Sequence, residues 1–161
     1  MANTTYKTLL SFGLLLLCSG GITLGQTREQ SKASLRGLRG VFVLVADLEL
    51  EIKQEGLSVT QLQTDVELRI RKAGIQVLTK EQWHETAGEP YLYVNVHARV
   101  LDQGQFPYNV MVQLKQDVIL VRNPSMQTPA VSWQMGGLGV AGDMKTIREF
   151  LGDAVWSEPQ K

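Results

Sequence analysis

Thiol chemistry is almost absent from this chain: of 161 residues one is a cysteine, Cys18. It lies in an amino-terminal apolar segment. A chain that loses that segment has no disulfide, no thiolate nucleophile and no cysteine metal ligand. Charge of one sign is lacking too, since sixteen Lys and Arg are matched by sixteen Asp and Glu. Nothing in that balance steers the protein toward nucleic acid or an anionic membrane. No serine stands in a G-x-S-x-G elbow, so hydrolase nucleophile chemistry has no visible seat. His84 and His97 lack the spacing and carboxylate company of a zinc site. The sequence therefore offers no catalytic residue, no metal ligand set and no cofactor.

What the amino terminus does contain is the pattern of an export leader. Lys7 precedes an apolar run from Leu9 to Leu17, which is too short to span a bilayer. Thr23 and Gly25 then occupy the small-residue positions of a cleavage site before Gln26. Cys18 raises lipidation as an alternative, but Leu17 fills the position where a lipoprotein signal wants a small residue. The expected organisation is a leader over residues 1–25, a flexible lead-in over 26–39, one domain over 40–157 and a short tail over 158–161. Without its leader the chain has no transmembrane segment, and the expected location is the periplasm or the exterior rather than a lipid-anchored form at the outer membrane.

From Gly40 the composition changes. Val41 to Ala46 form a continuous apolar run that suits a strand covered on both faces, and Leu48, Leu50 and Ile52 alternate with Glu49, Glu51 and Lys53 as if one face then met water. On that reading Glu49 and Glu51 are the wet side of an edge strand, not paired catalytic carboxylates. A helix follows. Ser58 and Gln61 have capping-box spacing, Leu57 and Leu62 that of a hydrophobic staple, and Val59, Leu62, Val66, Ile70 and Ala73 make one apolar stripe. Gly74 ends it.

Ile75, Val77 and Leu78 form a short strand, joined to the first by a parallel crossover. Thr79 and Gln82 repeat the box spacing around a helical turn that carries Trp83 and His84. Leu92, Val94, Val96, Ala98 and Val100 then alternate with polar and aromatic residues, as do Tyr108, Val110, Val112 and Leu114, predicting two long strands. Past Asp117 the phase is lost, which a bulge or burial on both faces would explain. A loop is expected from Asn123 to Pro129, a last strand over Val131, Trp133 and Met135, and a closing helix capped by Asp143 with Ile147, Phe150, Leu151, Ala154 and Val155 as its stripe. The fold class is α+β, an α/β sandwich: a β-α-β unit, a three-stranded antiparallel meander and a terminal helix, with helices packed on a mixed sheet.

Two features invite function. Gly137, Gly139 and Gly142 spell G-x-G-x-x-G, yet no acidic residue and second strand follow as in a dinucleotide-binding unit. They read instead as a glycine-rich strand exit that lets a helix pack closely. The other is the non-core face of the third strand: Tyr91, Tyr93, Asn95, His97 and Arg99. Aromatics and arginine in alternation make a recognition surface, while cross-strand pairing with Gln113 and Lys115, or coverage by the second helix, is the plainer account.

The order of elements, with Ala73-Gly74-Ile75-Gln76-Val77-Leu78 closing the helix and Thr79-Lys80-Glu81-Gln82 opening the next turn, resembles periplasmic domains. These are the domains of the curli secretion lipoprotein, of the lipoprotein activator of penicillin-binding proteins, and the amino-terminal domain of TolB. The stretches Gln116 to Asn123 and Trp133 to Gly139 are similar to those of small exported bacterial proteins. The resemblance implies a non-catalytic envelope protein that binds other proteins; the exposed sheet face, or an edge that receives a strand, is where an envelope protein partner is expected to dock. A small-ligand carrier or enzyme, with a pocket near His97 and the Gly137–Gly142 loop, is the alternative.

Overall fold

The computed structural model describes Gln30, residues 33–101 and residues 103–155. The expected leader over residues 1–25, with Cys18, and the expected 158–161 tail lie outside the described residues.

The chain folds as a mixed five-stranded sheet of order β2-β1-β3-β4-β5, in an α+β arrangement. Strand β1 (Gly40–Val45) sits between two parallel neighbours, β2 (Gln76–Val77) and β3 (Tyr91–Ala98). Burial on one face and close pairing on both edges explain its nearly unbroken apolar run. Strands β4 (Phe106–Leu120) and β5 (Asn123–Ala141) add antiparallel to β3 as a long hairpin.

The run after β1 is not the expected strand. Glu49 is the N-cap of a short helix, α1 (Leu50–Gln54), and Glu51 stands in its first turn. Leu48 and Ile52 are buried while Leu50 is 70% exposed. Residues four apart share a helix face, whereas a strand would have sent Leu50 inward with them. The two glutamates consequently belong to a helix start, where acidic side chains suit the dipole.

Helix α2 (Val59–Lys72) follows the sequence closely. Leu62, Val66 and Ile70 are buried. Ser58 is the N-cap with extended backbone, but its side chain makes no capping bond, so the expected box does not form there. Burial of Leu57 and Leu62 on either side holds the helix start instead. At the other end Gly74 takes φ +77, with Ile75 N–H donating to the Ile70 carbonyl at 3.2 Å and Gly74 N–H to Arg71 at 3.0 Å. That is the pair of hydrogen bonds of a glycine-closed helix end. The second capping box does form: in helix α3 (Lys80–His84), Gln82 N–H donates to Thr79 Oγ1 at 3.3 Å and Thr79 N–H donates to Gln82 Oε1 at 3.0 Å.

The core lies on one face of the sheet. Leu92, Val94, Val96 and Ala98 from β3 and Val110, Val112 and Leu114 from β4 meet Leu62, Val66 and Ile70 of α2 and Ile147, Leu151 and Ala154 of helix α4 (Met144–Val155). Asp143 caps α4, accepting from Thr146 N–H at 2.8 Å. Arg148 links α4 to Asp65 of α2 at 2.7 Å. Of the lead-in, Ser34 Oγ donates to the Ser132 carbonyl at 3.1 Å and Leu38 packs on the core.

β5 also departs from expectation. The Asn123–Pro129 segment is strand rather than loop, and the strand continues through both Gly136 and Gly137 to Ala141. Prolines are tolerated here because β5 is last in the sheet and its outer N–H positions need no ladder partner. The lost phase after Asp117 comes from bulges, with register shifts at Leu114/Lys115 and Ile119/Leu120. Burial on both faces is not the reason, since Ile119 and Val121 are exposed. No helix among the described residues is long and apolar enough to cross a membrane.

Candidate binding surface

Alternation along β3 sends its remaining side chains to the face opposite the core, and register decides what stands beside each. Tyr91 lies next to Phe42, Tyr93 next to Leu44 and Gln113, Asn95 opposite Met111, and His97 opposite Asn109. Through β4 the rows extend to β5, where Gly136 stands beside Met111 and Leu138 beside Asn109.

The lower end of this face is covered. Trp83, delivered by the capped turn of α3, stacks on Phe42 with ring centroids 5.1 Å apart and meets Tyr91 edge-on at 5.5 Å. Tyr93 is occupied by its neighbour: Lys115 Nζ sits 4.3 Å from the ring centroid, a cation–π contact. Pairing and helix coverage therefore account for the two tyrosines.

The upper end is different, and α1 is the reason. Its start brings Glu49 Oε1 to 2.9 Å from His97 Nδ1, which donates to it, while Asn95 Nδ2 donates to His97 Nε2 at 3.0 Å. Glu51 Oε1 lies 3.8 Å from Arg99 Nη1 and makes no hydrogen bond. The His97 hydrogen bond, aided by Arg99, holds the Glu49 pKa below its ordinary value despite partial desolvation. His97 is thus oriented by a carboxylate, but both ring nitrogens are engaged. No nucleophile stands within the network, and among the described residues no group of three His, Cys, Asp or Glu is placed to hold a metal ion.

His97 and Arg99 remain exposed beside an apolar group that sequence reasoning missed. Met111, Leu138 and Val140 stand on the same face, with Leu138 81% and Val140 64% exposed. The signal for them was present: Leu138 and Val140 alternate with glycines, so large apolar side chains occupy the phase turned away from the core.

The 137–142 glycines do not form a phosphate-cradling loop. Gly137 and Gly139 are in the β4–β5 ladder, where a Cβ on Gly137 would meet Phe150 of α4 at 2.9 Å and one on Gly139 the Tyr108 hydroxyl at 2.8 Å. Close helix approach, as the sequence implies, is what Gly137 permits. These positions face α4, whereas His97 faces the other side.

The chain matches no protein-family model and no curated protein.

Proposed function

We propose that this is an exported, non-catalytic binding protein of a bacterial envelope, periplasmic or extracellular, that captures a protein partner on the open face of its sheet. The leader pattern from Lys7 to Gly25 supports export, and the resemblance to periplasmic domains supports the setting. The observation that carries the reading is the upper open face. Exposed His97, at the end of β3, and Arg99 just after it share the open face with exposed Met111 of β4 and Leu138 and Val140 of β5. Methionine and arginine side chains are among those enriched in protein interfaces, and here they accompany an exposed apolar pair. A rigid sheet loses little side-chain and backbone freedom on docking.

Affinity capture from envelope extract tests it, with wild-type chain compared against Tyr93→Ala and Arg99→Ala. The expected result is a defined partner recovered by wild type and lost with Arg99→Ala. Tyr93→Ala, which removes the ring under Lys115, should weaken recovery less. Recovery that neither change alters would remove this face from consideration.

A further inference from the structure

The two edges of the sheet are guarded unequally. On one side β2 has two residues. On the other β5 has nineteen, and Asn123–Ala141 contains no Asp, Glu, Lys or Arg. An open edge offers a row of backbone donors and acceptors, and proteins block such rows with charge, proline, bulges or brevity. The first part of β5 has two of these devices, Pro124 and Pro129 together with the register shifts. From Trp133 to Ala141 it has none. The turn that precedes β1 reaches β5 at Ser132, just short of this stretch. Among the described residues no strand lies beyond it.

We propose that the Trp133–Ala141 edge of β5 pairs antiparallel with the same edge of a second copy, joining two five-stranded sheets across a twofold axis. Self-pairing sets each residue of the stretch against another residue of the same stretch, so a single lysine or glutamate near the axis would face its own copy. This stretch has none to repel. Its outward side chains complement themselves as well. Leu138 and Val140 are the most exposed apolar residues of the open face, and the partner's identical pair supplies an apolar neighbour across the new ladder. Nine residues at about 3.4 Å each give an edge of about 30 Å, long enough for a continuous ladder. The inference concerns a second copy at the β5 edge and shares Leu138 and Val140 with the open-face reading, which rests in addition on His97, Arg99 and Met111.

Light scattering and sedimentation of the full chain, beside the Leu138→Lys/Val140→Lys variant, test it. Both positions are exposed, so lysine is accommodated in the folded monomer, which far-ultraviolet circular dichroism verifies. The wild type is expected to be a dimer and the variant a monomer. Hydrogen exchange supplies a readout that needs no variant: amides of 133–141 should exchange at least about tenfold more slowly in the concentrated wild type than after dilution to monomer. A wild-type monomer, an open-ended assembly, a dimer that survives both lysines, or exchange in 133–141 that ignores concentration would each overturn the proposal. Partner capture plays no part in these readouts, so the dimer can fail while the open-face reading stands, and the reverse.

Discussion

The β4–β5 hairpin is one ladder with two fates. In its near part, Phe106–Leu114 against Trp133–Ala141, one face lies on the core and α4, and Val110, Val112 and Leu114 are buried. Its far part, Gln116–Leu120 against Asn123–Ala130, runs past the last pairing with β3 at Tyr91 and Lys115. There Ile119 is 64% and Val121 96% exposed. Both parts are paired ladders, and the β4 strand carries apolar side chains in each. Backbone pairing thus suffices to extend a strand, whereas burial is what assigns a side chain its energetic weight. Two-stranded ribbons are marginal alone. The far part is anchored at its base, where Asp117 N–H donates to the Gly88 carbonyl at 2.7 Å and Gln116 Nε2 donates to Ser132 Oγ at 3.0 Å.

The contrast is most easily broken by matched truncations. Leu114→Ala removes a side chain that is 1% exposed and leaves a cavity under β4, so it should cost about 2–5 kcal/mol. Ile119→Ala, a few residues further along the same strand, should stay within about 0.5 kcal/mol. Urea denaturation of both variants measures the difference. Equal losses would mean that the far ribbon is packed against something as firmly as the near part is.

Glycine separates the two parts as well. The far part of β5 has none, while in the near part a Cβ on Gly136 would run into the Val110 carbonyl oxygen of the neighbouring strand. A backbone atom in a ladder cannot swing aside. Gly136→Ala should therefore destabilise by about 1–3 kcal/mol, by overpacking rather than by lost contacts. Gly137→Ala meets only the far end of the Phe150 ring, at 2.9 Å, and should cost clearly less. Thermal melts of the two variants check the order; a reversal would place the tight approach at α4 instead of between strands.

The same contrast governs what could be read from the sequence. Where a core face exists the alternation is visible, as in Leu92 to Ala98 or Val110 to Leu114, and the element order and the α2 and α4 stripes follow from it. Where no face is buried, nothing imposes alternation. The Asn123–Pro129 segment, polar and proline-containing, thus reads as a loop although it is paired. The Leu48–Ile52 run fails for the opposite reason: its leucines and glutamates fit both a strand and a short helix, and only burial of Leu48 and Ile52 together decides. That one error hid the contacts of Glu49 with His97 and of Glu51 with Arg99. They depend on where α1 begins, which spacing along β3 does not encode.

The smallest expected effect is the pH response of that hidden contact. Glu49 joins α1 to β3 at the upper end of the open face, through a hydrogen bond from His97. Its carboxyl is held below the ordinary value of 4.5, first by that hydrogen bond. A carboxyl more acidic in the folded than in the unfolded chain stabilises the fold fully above its unfolded value. The contribution fades as pH falls through the lower, folded value, because the unfolded chain binds the proton first. Glu49→Gln keeps the side chain's shape and removes the charge, so its melting temperature should lie slightly below wild type at pH 7, with the gap closing below pH 4.5. Since the pair is partly solvated, the gap should also shrink in high salt. A gap that persists unchanged to pH 3 would show that Glu49 acts by shape alone. The orientation of His97 on the open face would then owe nothing to charge.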